Sequence, residues 1–556
     1  MLSAPSDWVY FSEGGKHAIF AHYRLILRVE KNSLVSAALR TAPRDERLRG
    51  IKQHNERYEL VHENNTASAS TRFRTLIVAP SIGNCYIDTP RTLLLHASFC
   101  AELYRSATSS GDIPLSRLSS WQVNGGSAND VEQPRYYKGT LLQNHTRFKP
   151  LRLPSNVRQV VSPVTISVEI KPKAGYLTNS PLIRAAHRCK FYHSRYELQQ
   201  ELMQKGILKK GWCENKVHEI GVVSSENENG FKRSGYSPLD LFSGEIKRIK
   251  RALVELSKNM QNNFRVWCNG VKAFGEYDQL TFAEYNEILY QLFDVHNDGE
   301  LNSDARTSIL DIIIDAVGNI LDREKLLDNL LSLQSLDVID GDGAVLVYNR
   351  LKTFFKGSES EIKMCLEKCF MKLEKTMVSN ISLGANSRRE GLLSSSPYQM
   401  PTCTHLSELI NEMHQYKAYL QDKRHANVTV DESIANKYYI SCNRHVEHLS
   451  KESCIFLLSN WLLSLTMCDV SFFVTFDILP FKEDGGMSKG ELKERNLSTD
   501  SNGLFICQWD NSNLPNAIVR YNVKIIDCDP KPISKLHRRQ DVEELFRFCE
   551  YNTPSK

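Results

Sequence analysis

Two lysines on one face of a short predicted strand are the first residues here whose type and spacing suggest chemistry. In SVEIKPKAGYL (167–177), the alternation of a strand places Glu169, Lys171 and Lys173 on one side. Pro172 has no amide hydrogen for a sheet ladder, so the strand should end near it and present these charges at the end of a sheet. Strand ends often bind ligands, although lysine also serves there to discourage edge pairing.

Two aspartates occupy comparable positions late in the chain. Asp469 directly precedes the apolar strand candidate 470–479, and Asp527 ends a second one, with Lys531 and Lys535 shortly after it. A carboxylate at a strand end can accept a proton or hold a magnesium ion, although a single one is more often a turn residue. Together, two carboxylates and two ammonium groups suit phosphoryl transfer, which depends on positioning and charge neutralisation.

A glycine pair near the start of the chain is a candidate phosphate-binding turn. In SEGGKHAIF (12–20), Gly14 and Gly15 would allow backbone amides to approach an anion, and Arg28 on the following strand could supply a cation. An ordinary glycine hairpin explains the same residues.

Paired amides beside a guanidinium form another candidate. QNNFRVWCNG (261–270) contains Asn262, Asn263 and Arg265, whose side chains suit phosphate or hydroxyl groups. The alternative is an asparagine pair that ends a helix, with Arg265 on the surface.

Calcium chemistry is excluded at the one segment with EF-hand spacing. The segment that begins at Asp294 has His296 at the third position and Ala305 at the twelfth, where a bidentate carboxylate is required.

Zinc ligation is an open but less favoured interpretation of two clusters. Cys365 and Cys369 share one face of a predicted helix, and Cys442, His445 and His448 follow further along. Core cysteines and surface histidines are the favoured interpretation.

The composition indicates a globular protein without a general affinity for polyanions. With 556 residues, 41% of them hydrophobic, we expect two or more domains with a substantial core. The net charge is only +5 with 24% charged residues, unlike the basic field of a nucleic-acid-binding domain. Any polyanion site must therefore be local.

Cysteine usage and the N-terminal sequence favour a reduced, intracellular protein. The 14 cysteines include no CxxC pair, and MLSAPSDWVYFSEGG lacks a basic region followed by an apolar core. The most apolar stretch (454–468) is shorter than the roughly 20 residues that a bilayer requires and contains Asn460. We predict a buried helix there.

The hydrophobic pattern predicts an α+β chain that is rich in strands at first and in helices later. Strand candidates are 8–29, 74–82, 91–99, 138–145, 165–172, 470–479 and 517–527. Helical stripes are predicted for a segment that begins after Ser243 as N-cap, and for 283–293, 308–321, 324–335, 360–377, 405–420 and 452–466.

This order of elements is typical of kinase-like phosphotransferases. We predict a sheet-rich N-terminal lobe over 1–145, a connector near 142–146 and a larger mixed lobe over 146–556, with a cleft between the lobes. Polar segments without an apolar period, at 221–235, 379–404 and 482–503, are predicted to be insertions.

In eight short segments, which include the lysine, glycine and amide motifs above, the chain resembles the inositol-pentakisphosphate 2-kinases. The matching segments are spread from residue 7 to 532, and the resemblance covers nearly the whole chain apart from the three insertions. They are DWVYFSEGG, APSIG, SVEIKPKAGYL, YSPLDLFSG, QNNFRVWCNG, LDVIDGDGA, CDVSFFVTF and IIDCDPKP.

The resemblance implies a two-lobed fold distantly similar to protein kinases, whose larger lobe has a helical inositol-phosphate-binding region. It implies transfer of the γ-phosphate of ATP, with Mg²⁺, to the 2-hydroxyl of inositol 1,3,4,5,6-pentakisphosphate, which gives the hexakisphosphate, phytate. By the same resemblance, ATP would contact Gly14, Gly15, Arg28, Glu169, Arg265 and the backbone of Gln143, Asn144 and His145. The inositol phosphate would contact Lys171, Lys173, Arg195, Asn262, Lys531 and Lys535, with Lys171 also at the transferring group, Asp469 as the base and Asp527 as the magnesium ligand.

Three substrate contacts depart from the family pattern. A family arginine is replaced by Gln122, a histidine by Gln199 and a lysine by Met203, with Lys205 or Arg188 as candidate replacement cations. The zinc site of plant members does not carry over either, because its first histidine falls at Leu346. Strict preference for the pentakisphosphate is therefore left open.

Three classes of function are compatible with these observations. An active kinase is favoured because both aspartates and the lysines are present. A pseudokinase or scaffold that binds inositol phosphates without turnover is the alternative, and an RNA-associated or phosphoinositide-binding module ranks last. For the kinase we expect a small-molecule substrate, no membrane or specific nucleic-acid partner, a monomer, and a location in the cytoplasm, the nucleus or both.

Overall fold

The computed structural model describes residues 8–13, 17–22, 25–30, 34, 58–59, 69–88, 90–109, 136–148, 164–208, 231–275, 304–368, 393–480, 503–507 and 517–549. Gly14, Gly15, Gln122, Cys369, the EF-hand-like segment 294–305 except for its last two residues, the predicted helix 283–293 and most of the predicted insertions lie outside these residues.

The described elements confirm the α+β class. The strands are β1 Val9–Glu13, β2 His17–Ala21, β3 Leu25–Glu30, β4 Tyr58–Glu59, β5 Arg91–His96, β6 Tyr136–Gln143, β7 Thr165–Ile170, β8 Phe264–Cys268, β9 Val271–Phe274, β10 Ser471–Pro480, β11 Gly503–Cys507 and β12 Ala517–Ile526. The α-helices are α1 Ala69–Phe73, α2 Ala79–Ile82, α3 Ala97–Ser109, α4 Arg195–Gln204, α5 Pro238–Leu241, α6 Ile246–Lys258, α7 Asp304–Arg323, α8 Leu326–Gln334, α9 Asp340–Phe354, α10 Thr404–His425, α11 Glu432–Glu447, α12 Lys451–Met467 and α13 Lys535–Glu544. Residues 359–368 are also helical, Arg74–Val78 forms a π-helix, and Asn84–Tyr86, Ala185–Phe191 and Leu545–Phe548 form 3₁₀-helices.

The chain divides into two compact units. The first contains residues 1–72 and 88–149, and the second contains 73–87 and 150–556. The sequence prediction of lobes over 1–145 and 146–556 did not include the assignment of residues 73–87 to the second unit.

The first unit is built on an antiparallel sheet in the order β1-β2-β3-β6-β5-β4. Its apolar side chains form a core of their own with residues from α3, including Phe20, Leu27, Leu95 and Phe99, each at most 2% exposed. The sheet-rich prediction for this part of the chain is confirmed.

The strand predicted at 74–82 is wrong, because this segment is helical. Arg74–Val78 is a π-helix and α2 follows it directly. Ile77, Val78 and Ile82 are buried in the core of the second unit, and Asn329 donates a hydrogen bond to the Ile82 carbonyl at 2.8 Å. A short apolar run is compatible with either a strand or a buried helix, and here tertiary burial selects the helix.

The second unit is built on an antiparallel sheet in the order β11-β12-β10-β7-β8-β9. All six residues of β7 are buried, and its polar side chains have partners there: Thr165 donates to Asp477 at 2.7 Å and Ser167 to Thr475 at 3.1 Å. Helix α12 is buried along almost its whole length, as predicted for the apolar stretch 454–468. Among the described residues, no helix has the length and apolar character needed to cross a bilayer.

The register of this sheet brings the ends of four neighbouring strands together at one end of the sheet, called the sheet edge below. Ile170 at the end of β7 pairs with Phe472 near the start of β10 and with Phe264 at the start of β8. Ser471 at the start of β10 pairs with Ile526 at the end of β12. Residues that follow β7 and β12, or precede β8 and β10, therefore lie near one another.

Candidate active site

Most of the sequence-predicted residues of the second unit lie at this sheet edge. Lys171 follows β7 directly and donates its backbone N–H to the carbonyl of Asn263 at 2.9 Å. Asp469 precedes β10 by two residues, and Asp527 follows β12 directly. The side-chain amine of Lys171 lies 3.8 Å from a carboxylate oxygen of Asp527.

Two of these residues adopt a backbone conformation that non-glycine residues rarely use. Lys173 and Asp527 both have φ of 61°. Such left-handed residues cost about 1–3 kcal/mol each and persist where the surrounding structure enforces them, often at functional sites. The two turns are therefore shaped against local preference.

A buried glutamine enforces the first turn. The side-chain amide of Gln334, at the end of α8, donates hydrogen bonds to the carbonyls of Lys173 at 2.9 Å and Met467 at 3.1 Å. Its oxygen accepts the N–H of Gly175 at 2.8 Å. Gln334 thus joins the lysine turn to the end of α12, just before Asp469.

Gly175 has a packing reason of its own. A Cβ at this position would lie 2.1 Å from the ring of Phe242, so the turn can pack against that ring only without a side chain.

Asp469 is surrounded by lysines. Its carboxylate accepts a hydrogen bond from the amine of Lys531. Desolvation by the surrounding protein would raise the pKa of Asp469, but the charges of Lys531, Lys173 and Lys171 hold this pKa below its usual value. The carboxylate is therefore ionised at neutral pH, as a proton acceptor must be.

Lys173 experiences the opposite balance. Burial lowers the pKa of its amine to about 8, with Asp469 acting to raise it and Lys171 and Lys531 acting to lower it further. An anion that binds nearby would raise this pKa and favour the protonated, charged form of the amine.

These groups face a cavity of about 450 Å³ with a strongly cationic lining. Six basic side chains line it, together with the carboxylate of Asp469, and Tyr196, Gln199, Met203, Leu208 and Val542 contribute neutral surface. The basic residues are Lys173, Arg195, Lys531, Lys535, Arg538 and Arg539. The predicted substrate residues Lys173, Arg195, Lys531 and Lys535 are thus brought together.

Arg538 and Arg539 were missed by the sequence analysis. They lie on α13, three and four residues after Lys535, and Val542 continues the same face. This i, i+3, i+4, i+7 spacing in KLHRRQDVEE was an available signal.

A buried carboxylate, Glu543, supports the arginines. It accepts hydrogen bonds from Arg195 and, at 2.7 Å, from Arg539. Burial, with the charge of Arg539, lowers the pKa of Arg195 to about 10. The amine of Lys190 lies 3.0 Å from Glu543 and also contacts Asp340.

The acidic motif LDVIDGDGA acquires a structural role here. Asp340, Asp342 and Glu543 lie close enough together to suggest a metal site, but the ammonium of Lys190 already lies among them. This is a buried ion network that anchors the wall of the cavity.

Several predicted residues lie outside the cavity lining. Glu169 and Arg265 face each other across β7 and β8 and form an ion pair of 3.1 Å. Asn262 is exposed at the sheet edge, whereas the amide of Asn263 is buried and donates to the Tyr196 hydroxyl at 3.2 Å.

The two candidate replacement cations serve other contacts. Arg188 donates to Glu432 and, at 2.6 Å, to Asn436. Lys205 donates to Glu201 at 2.7 Å. Neither lines the cavity, whereas Arg538 and Arg539 do.

In the first unit, Arg28 lies within β3, paired with Ile19 of β2 and Thr140 of β6. Gln143 ends β6 opposite Leu25.

The two residues after Gln143 make local contacts. The Asn144 side chain donates to the His22 carbonyl at 3.0 Å, and its oxygen accepts the N–H of Thr146, also at 3.0 Å. The ring of His145 lies 2.5 Å from the carboxylate of Asp88.

Comparison with known proteins shows the family of the chain. The family description "inositol-pentakisphosphate 2-kinase" matches residues 10–544, almost the whole chain. The chain belongs to the inositol-pentakisphosphate 2-kinase family. It is 27% identical over 357 residues to an inositol-pentakisphosphate 2-kinase of Arabidopsis thaliana, a match that covers 62% of this chain and 69% of that protein.

The rice relatives give a similar result. The inositol-pentakisphosphate 2-kinases of Oryza sativa subsp. indica and subsp. japonica are each 26% identical to this chain over 355 residues, which is 62% of the chain and 68% of each relative. Gln199 and Met203, two of the three departures from the family pattern, both line the cationic cavity.

Proposed function

We propose that this member of the inositol-pentakisphosphate 2-kinase family is an active kinase, which transfers the γ-phosphate of ATP to the 2-hydroxyl of inositol 1,3,4,5,6-pentakisphosphate. The observation that carries the proposal is one ionised carboxylate, Asp469, in a cavity whose lining includes six basic side chains. A substrate with five phosphates, each with about 1.5 to 2 negative charges, requires such a concentration of cations.

Asp469 is proposed as the general base. The 2-hydroxyl oxygen attacks the γ-phosphorus, its proton passes to the Asp469 carboxylate, the bond to the β–γ bridging oxygen breaks, and ADP leaves. Lys531, hydrogen-bonded to this carboxylate, would hold it in place and keep it ionised until the hydroxyl arrives.

The lysine turn is proposed to neutralise the transferring phosphate. Lys171 and Lys173 flank Asp469 closely enough to lower its pKa, so their charges also act where the phosphate would pass. Arg195, Lys535, Arg538 and Arg539 would hold the remaining phosphates, the arginines through bidentate contacts.

Asp527 is the proposed magnesium ligand. Carboxylate oxygens are the ligands that Mg²⁺ prefers, and the Asp527 side chain is 42% exposed at the same sheet edge as Asp469. When bound, the ion would neutralise charge on the β- and γ-phosphates. The predicted ATP ligands Gly14, Gly15, Arg28, the backbone of Gln143–His145, Glu169 and Arg265 remain part of the proposal.

A protein that binds inositol phosphates without turnover is the second candidate. Gln199 and Met203 line the cavity where the family pattern has a histidine and a lysine, so individual phosphates are held differently. Asp469 weighs against a binding-only role. A carboxylate repels a polyanion, so in a protein that only binds the ligand it would weaken binding without any benefit.

The proposed setting is intracellular. Eleven cysteines of the described residues are free thiols, which fits a reducing compartment such as the cytoplasm or nucleus. A monomer is proposed as the working unit.

The deciding experiment incubates the purified protein with Mg²⁺-ATP and inositol 1,3,4,5,6-pentakisphosphate and separates the products by anion-exchange chromatography. We expect hexakisphosphate, and we expect Asp469→Asn to lower turnover by about 10²–10⁴-fold while ATP binding is retained. Asp422→Asn is the matched control: it makes the same change from carboxylate to carboxamide at an exposed position of α10 and should be fully active.

Other outcomes would revise the proposal in different ways. Tight calorimetric binding without any product would favour the binding-only protein. Product formation at the normal rate by Asp469→Asn would leave the kinase standing but exclude Asp469 as its base.

A further inference from the structure

A second group of chemically active side chains lies where α10 and α11 meet. His405 and Glu408 are one helical turn apart at the start of α10, and His445 lies in the last turn of α11. None of the three lines the cationic cavity. Along the chain His445 is a neighbour of Cys442 and His448, but the fold places it beside His405 and Glu408 of α10.

Three potential ligand atoms form a compact triangle. Nδ1 of His405 lies 3.5 Å from Nδ1 of His445 and 3.4 Å from a carboxylate oxygen of Glu408. The same Glu408 oxygen lies 3.3 Å from Nδ1 of His445.

These distances fit one face of a zinc tetrahedron. Nitrogen and oxygen ligands lie about 2.0–2.2 Å from Zn²⁺, and at tetrahedral angles they are therefore about 3.3–3.6 Å apart. All three sides of the triangle fall in this range, so one position lies at a zinc–ligand distance from all three atoms.

An outer contact orients the second histidine. Nε2 of His445 lies 3.4 Å from a carboxylate oxygen of Glu412, and this oxygen also accepts the Ser441 hydroxyl at 2.6 Å. The other Glu412 oxygen accepts the thiol of Cys442 at 3.2 Å. Carboxylate–histidine pairs of this kind accompany most metal-ligating histidines, because they fix the tautomer and make the ring a better ligand.

The three atoms also suit a positive charge at the centre of the triangle. The Glu408 oxygen only accepts hydrogen bonds, and Nδ1 of each histidine can present a lone pair to an ion. A cation among them would bind all three atoms at once.

We propose that His405, Glu408 and His445 form a Zn²⁺ site, oriented by Glu412, with water at the fourth position. Access is open, because the side chains of His405 and Glu408 are 43% and 48% exposed. The ion would tie the start of α10 to the end of α11. The cluster of Asp340, Asp342 and Glu543 differs from this triangle, because the ammonium of Lys190 already lies among its carboxylates.

The test titrates the chelator-treated full chain with Zn²⁺ and with Co²⁺, whose absorption reports tetrahedral coordination. We expect one equivalent to bind, loss of this equivalent in the double variant His405→Gln/His445→Gln, and affinity about 10–100-fold weaker in Glu412→Gln. His414→Gln, on the same helix but outside the triangle, should bind normally. Zn²⁺ should raise the thermal midpoint of the wild-type chain and not that of the double variant.

Two results would overturn the site. One is a wild-type chain that takes up no zinc at micromolar concentration. The other is a folded double variant that keeps the full stoichiometry, which would place the ion on other ligands such as the cysteines.

Discussion

Lys173 shows how the site places charge where charge is unfavourable. Its amine has a pKa of about 8 because of burial, and Lys171 and Lys531 lower this value further while Asp469 opposes the shift. In the free protein this amine is therefore only partly protonated slightly above neutral pH. A bound polyanion would restore the full charge, so binding and proton uptake are coupled.

The affinity for inositol pentakisphosphate should consequently fall as the pH rises through 8. Below this value the ammonium is already charged, and above it binding must supply a proton, which weakens affinity by up to about tenfold per pH unit. Calorimetry between pH 7 and 9 measures this, in a window above the phosphate pKa near 6. Lys173→Met should bind more weakly at pH 7 and lack the step, whereas the exposed control Lys437→Met should retain it. A step of equal size in Lys173→Met would assign the titration to another group.

Residues at strand ends were predictable, and residues that support them were not. Lys171, Lys173, Asp469 and Asp527 could be placed because a strand pattern locates its own ends. Gln334 could not, because its function depends on carbonyls 161 and 133 residues away in the chain. No local pattern distinguishes such a buried amide from any other glutamine in a helix.

At the scale of elements, the site depends on how α8, α12 and β7 are joined. Gln334 is fully buried, and its three hydrogen bonds satisfy two carbonyls and one N–H at the ends of these elements. An unsatisfied buried backbone group costs about 1–3 kcal/mol, so the amide both stabilises the fold and sets the distance between Lys173 and Asp469.

Gln334→Met should therefore impair catalysis beyond its effect on stability. Methionine has a similar volume but satisfies none of the three backbone groups, and a shift of about 1 Å between reacting groups can cost 10²-fold in rate. We expect kcat to fall at least tenfold with a smaller change in nucleotide binding. Turnover, calorimetry and thermal unfolding would measure the two effects separately.

Asn460→Leu is the matched control for this variant. Asn460 is also fully buried; its amide oxygen accepts the Ser396 hydroxyl at 2.7 Å, and its amide nitrogen donates to the Phe456 carbonyl at 3.0 Å within α12. It should lose stability without a specific loss of kcat. Equal activities of the two variants at equal folded fractions would reduce Gln334 to a structural residue.

Elements were predicted well where the pattern was long and poorly where burial decided. The stripes at 308–321, 405–420 and 452–466 correspond to α7, α10 and α12. The helix that begins after Ser243 is α6, although its N-cap is Glu245. Helices α9 and α11 were missed, because glycines and acidic residues open the first and polar residues dominate the second.

At the scale of the whole molecule, the charge is concentrated rather than spread. The net charge is only +5, yet six basic side chains line one cavity of about 450 Å³. Composition could exclude a general basic surface but could not show this local concentration of charge. The cations come from separate parts of the chain: the turn after β7, the start of α4, the segment after β12, and α13. Arg195, Arg539 and Lys531 have carboxylate partners, but like charges around one cavity still repel one another in the unliganded protein.

Removing two of these cations should therefore change stability in opposite directions with and without ligand. Lys535→Met/Arg538→Met relieves repulsion, so its thermal midpoint should lie at or above that of the wild type in buffer alone. Inositol hexakisphosphate at about 100 times its Kd should stabilise the wild type by about 2.7 kcal/mol, and the same concentration should stabilise the variant less because its Kd is higher. The difference should shrink between 0.05 and 0.5 M salt, since screening weakens partly exposed charges. Lys363→Met/Lys437→Met removes the same net charge from exposed helix positions and should show neither effect. If it behaved like the cavity variant, overall charge and not the cavity would govern the binding of inositol phosphates.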